Sequence, residues 1–219
     1  MVSRRLAMAN AFMYTVFELL ASIFSSTPVD GAVSANPHVS CGSTIKLLHA
    51  GHEIRLHSHE VNYGSGSGQQ SVTGVKASDD VNSYWVVYGR YQHPCTRGEA
   101  IKCGDVIRLR HTKTQHWLHS HHFTSPLSNN QEISCYAGNE GLGDSGDNWL
   151  VQCTGGEWMK KKLVQFKHVD TGKHLHASGQ TFNRPIAGQY EISACQSCGG
   201  IDWKATEGVY FTVKSKKEL

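Results

Sequence analysis

The sequence predicts an all-β fold made of three copies of one four-strand unit, about twelve strands in all. Three observations carry that prediction: an internal repeat, an apolar period of two inside each copy, and a tryptophan ending each copy. Gly42-Ser-Thr-Ile-Lys-Leu-Leu-His49 aligns with Gly104-Asp-Val-Ile-Arg-Leu-Arg-His111 and with Lys162-Leu-Val-Gln-Phe-Lys-His168. The alignment continues without a gap through Leu56-His57-Ser58, Leu118-His119-Ser120 and Leu175-His176-Ala177. A second block pairs Val72-Thr73 with Ile133-Ser134 and Ile192-Ser193, and the third ends on Trp85, Trp149 and Trp203.

Each element follows from its pattern. In the second unit Ile107, Leu109 and His111 point one way, while Arg108 and Arg110 point the other, as in a half-buried strand. Val164, Phe166 and His168 alternate with Gln165 and Lys167 in the same manner. The second unit reads as strands near Val106–His111, Trp117–His122, Glu132–Ala137 and Asn148–Cys153, separated by turn residues such as Thr112-Lys113-Thr114. One such unit cannot bury its apolar face alone. Closure of three around a common axis removes exposed sheet edges, so the expected architecture is a pseudo-threefold β-trefoil.

The composition agrees with a loop-rich β protein: of 219 residues 18% are charged, 22 are glycine, and 14 are histidine. That length suits one domain or two. The net charge of +3, without a run of five or more like charges, argues against nucleic acid as the main partner. Residues 1–32 read as a signal peptide: Arg4-Arg5, an apolar run from Leu6 to Phe24, then small residues, with cleavage expected between about 25 and 32. Glu18 interrupts the run, and a signal anchor is the alternative. No membrane association is expected after cleavage. The chain ends Lys216-Lys-Glu-Leu219, like an endoplasmic reticulum retrieval signal except that Lys217 replaces the usual Asp.

The seven cysteines fit the repeat. Cys41-Gly42 and Cys103-Gly104 share one register at the start of units one and two, and Cys95 and Cys153 follow the unit-ending tryptophans. The expected bridges are Cys41–Cys95 and Cys103–Cys153, each closing about fifty residues and worth ~3–4 kcal/mol in the chain-entropy model. Cys195 and Cys198 are a candidate third pair, which leaves Cys135 free and buried.

No nucleophile–base pair is visible, so no catalytic residues are expected and the chain reads as a non-enzyme. His57 with His59, and His119 with His121, are i, i+2 pairs that share a strand face. No cysteine or carboxylate at ligand spacing completes a metal set, so neither metal nor cofactor is expected. These histidines read as a repeated Leu-His-Ser turn or as part of a polar ligand groove. His57, His59, Trp117 and His119 are the candidate ligand-binding residues. His49, His111 and His168 lie on the apolar phase and read as satisfied core histidines.

The segment Arg55-Leu-His-Ser-His-Glu-Val-Asn-Tyr-Gly-Ser-Gly-Ser-Gly-Gln-Gln-Ser-Val-Thr-Gly74 resembles the first MIR repeat of the stromal cell-derived factor 2 family. Trp117–Ser128, Gln131–Ser134, Arg184–Gln189 and Trp203–Gly208 resemble the same family, and the likeness spans roughly residues 37–212. The resemblance implies MIR repeats over 37–91, 99–154 and 155–210, followed by a tail over 211–219. It implies a protein of the endoplasmic reticulum lumen, or a secreted one if retrieval fails. It also implies association with a DnaJ-type co-chaperone and a BiP-class chaperone, and a part in quality control of unfolded secretory clients. Related repeats occur in protein O-mannosyltransferases, and the alternative is a lectin-like module. The least repeated loops, Tyr63–Gln70 and His121–Ser128, are the expected contact surface. Its candidate residues are Tyr63, Ser65, Gly66, Gln69, His121 and Phe123, with Tyr63 and Phe123 as candidate aromatic anchors.

Overall fold

A computed structural model describes residues 37–211. The signal peptide at 1–32 and the Lys216–Leu219 tail lie outside the described residues. Twelve strands form one sheet, and no α-helix occurs among the described residues. The first third supplies β1 (Thr44–His49), β2 (Arg55–Asn62), β3 (Gln70–Val75) and β4 (Trp85–Gly89). The second supplies β5 (Val106–His111), β6 (Trp117–Thr124), β7 (Gln131–Tyr136) and β8 (Trp149–Gln152). The last supplies β9 (Gln165–His168), β10 (His174–Thr181), β11 (Tyr190–Cys195) and β12 (Trp203–Val209). The expected strand at 117–122 runs two residues further, because the β6–β7 hairpin resumes pairing at Thr124 and Gln131 beyond an irregular stretch after Ser120.

Two closed circuits organise the strands. In one, β1 pairs β4, β4 pairs β5, β5 pairs β8, β8 pairs β9, and β12 pairs β1. The bridge between Val164, just before β9, and Trp203 of β12 completes it. In the other, the three hairpins meet through β3–β7, β7–β11 and β11–β3. A triangle of backbone bonds joins the segments before each third: Val39 N–H to Trp158 O, Trp158 N–H to Ile101 O, and Ile101 N–H to Val39 O, at 2.8–3.0 Å.

The core forms from apolar side chains on the inward phase of the strands. Ile45, Leu47, Leu56, Ile107, Leu109, Leu118, Phe166 and Leu175 are buried around Trp85, Trp149 and Trp203. Each indole N–H reaches back to a carbonyl of its own third, Leu56, Leu118 and Leu175, at 2.9, 2.9 and 3.0 Å. A buried indole needs such an acceptor, and the repeat supplies it three times.

The core histidines link one third to the next. His111 Nε2–H donates to Asn82 O, His168 Nε2–H to Gly146 O, and His49 Nε2–H to Gly200 O, at 2.8–2.9 Å. Each bond runs from the first strand of one third to the loop before the last strand of the preceding third. Disulfides join Cys41 to Cys95, Cys103 to Cys153, and Cys195 to Cys198. Cys135 is free and buried, and burial pushes its thiol up to about 12, where it stays protonated and unreactive.

Candidate functional site

Three loops gather where the hairpins meet, and each is held by the following third. Ser67 of the first loop donates through its N–H and its hydroxyl to Glu132 at the start of β7. Gln69 of the same loop accepts from Ser134 at 2.6 Å. In the second loop, the N–H groups of Leu127 and Ser128 donate to Glu191, and Asn130 donates to Ser193. In the third, Gln189 accepts from Thr73. Glu132 and Glu191 have no exposed surface. A buried carboxylate is tolerated when donors surround it, and here the donors are the neighbour's loop.

This arrangement corrects part of the expected contact surface. Tyr63 is not an exposed anchor. It is 7% exposed and packs with Phe182 and Ile186 in a second apolar cluster. Its hydroxyl lies 3.0 Å from Val72 O and 2.9 Å from Ile133 O and accepts the Val72 N–H. Gly66 adopts φ +68°, and a Cβ there would collide with the Glu132 carboxylate, so glycine is required for close approach. Gln69 is half-buried and tied to Ser134. Ser65 is exposed. Phe123 is 50% exposed, with its ring edge-on to His121 at 4.8 Å.

A cleft of about 310 Å³ opens between the loops, lined by Tyr63, Ser65, Leu127, Phe182, Arg184 and Ile186 among others. Its wall is mostly apolar, and Arg184 is its one charged group. Leu127 falls inside the expected 121–128 loop, but the sequence reading missed Phe182 and Ile186, because no repeat position marks the third loop.

The expected ligand-binding residues do not form one site. His57 is buried, and its Nδ1 lies 2.8 Å from Asp80 Oδ2. His57 Nε2 lies 3.1 Å from His59 Nδ1. Burial and the neighbouring His57 hold His59 below its usual range. Burial would raise the Asp80 carboxyl, but donation from Ser83 and His57 outweighs it and holds Asp80 below the ordinary value. In the second third, His119 Nδ1 lies 3.0 Å from Asp147 Oδ1, and His121 Nε2 lies 3.0 Å from Glu132 Oε1. Burial raises the Asp147 carboxyl, and donation from His119 and the Asp144 N–H offsets only part of that. Trp117 is elsewhere and 4% exposed, sandwiched by Arg108 at 3.9 Å and edge-on to Tyr88 at 5.2 Å. It offers no open ring face for a sugar.

The carboxylates beside the histidine pairs were not read from the sequence. A signal existed: Asp80 and Asp144 each stand five residues before a unit-ending tryptophan. The third unit has Cys198 there, bonded to Cys195, and His176 Nδ1 instead meets Ser193 Oγ at 3.1 Å.

The MIR domain family matches residues 46–152. Human stromal cell-derived factor 2 is 53% identical over 173 residues, 78% of this chain and 82% of that protein. The crystal structure of the SDF2-like protein from Arabidopsis thaliana is 41% identical and superposes with a TM-score of 0.77, covering 81% of this chain and 99% of that one. The structure of the S. cerevisiae protein O-mannosyltransferase Pmt1–Pmt2 complex bound to the sugar donor is 27% identical with a TM-score of 0.71, covering 89% of this chain but 29% of that one. An all-β chain with MIR sequence and buried polar clamps between its thirds is thus an MIR-domain protein. It belongs to the stromal cell-derived factor 2 family.

Proposed function

We propose that this protein is a non-catalytic adaptor of the endoplasmic reticulum lumen, folded as a β-trefoil of three MIR repeats. It docks a DnaJ-type co-chaperone and, with a BiP-class chaperone, assists quality control of unfolded secretory clients. The observation that carries this reading is the hairpin end of the molecule. Three unlike loops are fixed by buried carboxylates and amides, and between them lies an apolar cleft beside the half-exposed Phe123. A rigid, asymmetric, partly apolar surface suits protein contact, because little ordering entropy is lost on docking. The class of partner is the one the family resemblance implies.

Phe123→Ala is expected to weaken capture of the DnaJ-type partner about thirtyfold, the usual loss of ~2 kcal/mol for an aromatic anchor. The melting temperature should stay unchanged, since the ring is half outside the packed interior. Co-precipitation from lumenal extract, followed by titration with the purified partner, measures this. Unchanged affinity would remove the loop end from the interface.

The second reading is a lectin-like module, favoured by the likeness to a mannosyltransferase complex that carries its sugar donor. A mannose-rich glycan array separates the two. Selective glycan binding without capture of a DnaJ-type partner would establish the lectin and reject the adaptor.

A further inference from the structure

Two histidine pairs with the same strand geometry end on different acceptors. In the first third the chain ends on a hydroxyl. His57 Nδ1 faces Asp80 Oδ2 at 2.8 Å, His57 Nε2 faces His59 Nδ1 at 3.1 Å, and His59 Nε2 faces Ser71 Oγ at 3.2 Å, whose own proton goes to Val61 O. In the second third the position of Ser71 is taken by Glu132, so a carboxylate stands at each end. Both carboxylates are fully buried. Asp147 Oδ2 already accepts the Asp144 N–H at 2.7 Å, and Glu132 already accepts from Ser67. Each imidazole therefore directs its N–H to its own carboxylate.

That leaves His119 Nε2 and His121 Nδ1 as lone pairs. Their counterparts in the first third, His57 Nε2 and His59 Nδ1, bond each other. The ring centroids are 5.1 Å apart here and 5.0 Å apart there, both edge-on. The two rings are thus disposed as in the first pair, but no hydrogen bond among the described residues links them. A proton or a metal cation is what two such nitrogens can share.

We propose that His119 Nε2 and His121 Nδ1 bind a divalent transition-metal ion, with Zn²⁺ the best match. Borderline-soft Zn²⁺ takes neutral imidazole nitrogens, and metal-ligating histidines typically donate their other N–H to a carboxylate, as both do here. The cation also balances two buried negative charges. A groove of about 340 Å³ gives access and is lined by His119, His121, His122, Asp144, Ser145 and Asp170 among others. Water from the groove would complete the coordination. His119, Asp144 and Asp147 also cluster, with ligand atoms within 4.8 Å of one another. A metal there would break the His119–Asp147 bond and the reciprocal Asp144–Asp147 cap, so the site between the two rings is the better one.

Calorimetric titration of the purified protein with ZnCl₂ tests this. One saturable site is expected. His121→Gln keeps an N–H donor toward Glu132 but removes the Nδ1 lone pair, and should weaken binding by about tenfold or more. His59→Gln, the matched change in the first pair, should leave binding unchanged. Co²⁺ added to the wild-type protein should give visible absorption bands of nitrogen ligation, a readout that needs no variant. The absence of a saturable site or of those bands, a site indifferent to His121→Gln, or equal losses in both variants would overturn the assignment.

Discussion

Acidification from pH 7 to 4 is expected to remove several kcal/mol of folding stability, chiefly through the core histidines. His111 has no exposed surface, and burial pushes its imidazole down to about 4 against an ordinary 6.5. Its hydrogen bonds add a geometric reason. Nε2–H donates to Asn82 O at 2.8 Å, while Nδ1 faces the Thr114 hydroxyl at 2.9 Å and accepts the Thr114 N–H at 3.3 Å, contacts that suit the neutral ring. The folded pKa lies below the unfolded one. Between pH 6.5 and about 4 the unfolded chain therefore binds a proton that the folded chain refuses. Stability is fully present above 6.5 and falls as pH drops through that window, by about 3 kcal/mol for His111 alone.

The effect repeats around the fold. Burial also lowers His49, His168 and His176, with the Gly200 and Gly146 carbonyls opposing the shift at His49 and His168. Asp147 acts in the opposite sense, because burial raises its carboxyl. Urea midpoints at pH 7, 5.5 and 4.5 measure the slope. His111→Gln keeps a donor for Asn82 O and removes the titrating ring, so it should flatten the slope while lowering stability at pH 7. A midpoint constant from pH 7 to 4.5 would refute the histidine account.

The same histidines show what the sequence makes legible. His49, His111 and His168 fall on the apolar phase of a period-two pattern, and that phase places them inside. The pattern also finds the strands, because each residue's face is set by its immediate neighbours. Shared register pointed to Cys41–Cys95 and Cys103–Cys153, which the structure joins. Contacts between thirds were not legible. Glu132 gave no hint that it holds Ser67 of the preceding third, and even within the second third Asp147 gave no hint of His119. Such partners lie on loops of different length, where periodicity carries no information. Tyr63 is the sharpest case. A tyrosine before Gly64-Ser65-Gly66 reads as a loop tip, yet the residues that bury it arrive with a loop more than a hundred positions later.

Tyr63→Ala is accordingly expected to act on stability before it acts on any partner. The ring fills the space between the first and third loops, against Phe182 and Ile186, with Val61 and Leu127 beside it. Truncating a buried aromatic typically costs about 3–5 kcal/mol, the lost transfer energy plus the cavity left behind. The hydroxyl adds to this. It accepts the Val72 N–H in β3 and lies within bonding distance of Val72 O and Ile133 O, so it joins the first hairpin to β7. Tyr63→Phe isolates that part: the ring stays, the Val72 N–H loses its acceptor, and about 1–3 kcal/mol should be lost. Burial also raises the phenol well above its ordinary value, so the hydroxyl keeps its proton and its donor role at any working pH. Chemical denaturation of the three proteins orders them as wild type, Tyr63→Phe, Tyr63→Ala. Hydrogen exchange should quicken first at Val72 and at the loop amides Ser67, Leu127 and Ser128, whose clamps depend on the packed loops. If Tyr63→Ala instead kept the wild-type midpoint and lost only partner capture, the ring would be a contact residue and its packing incidental.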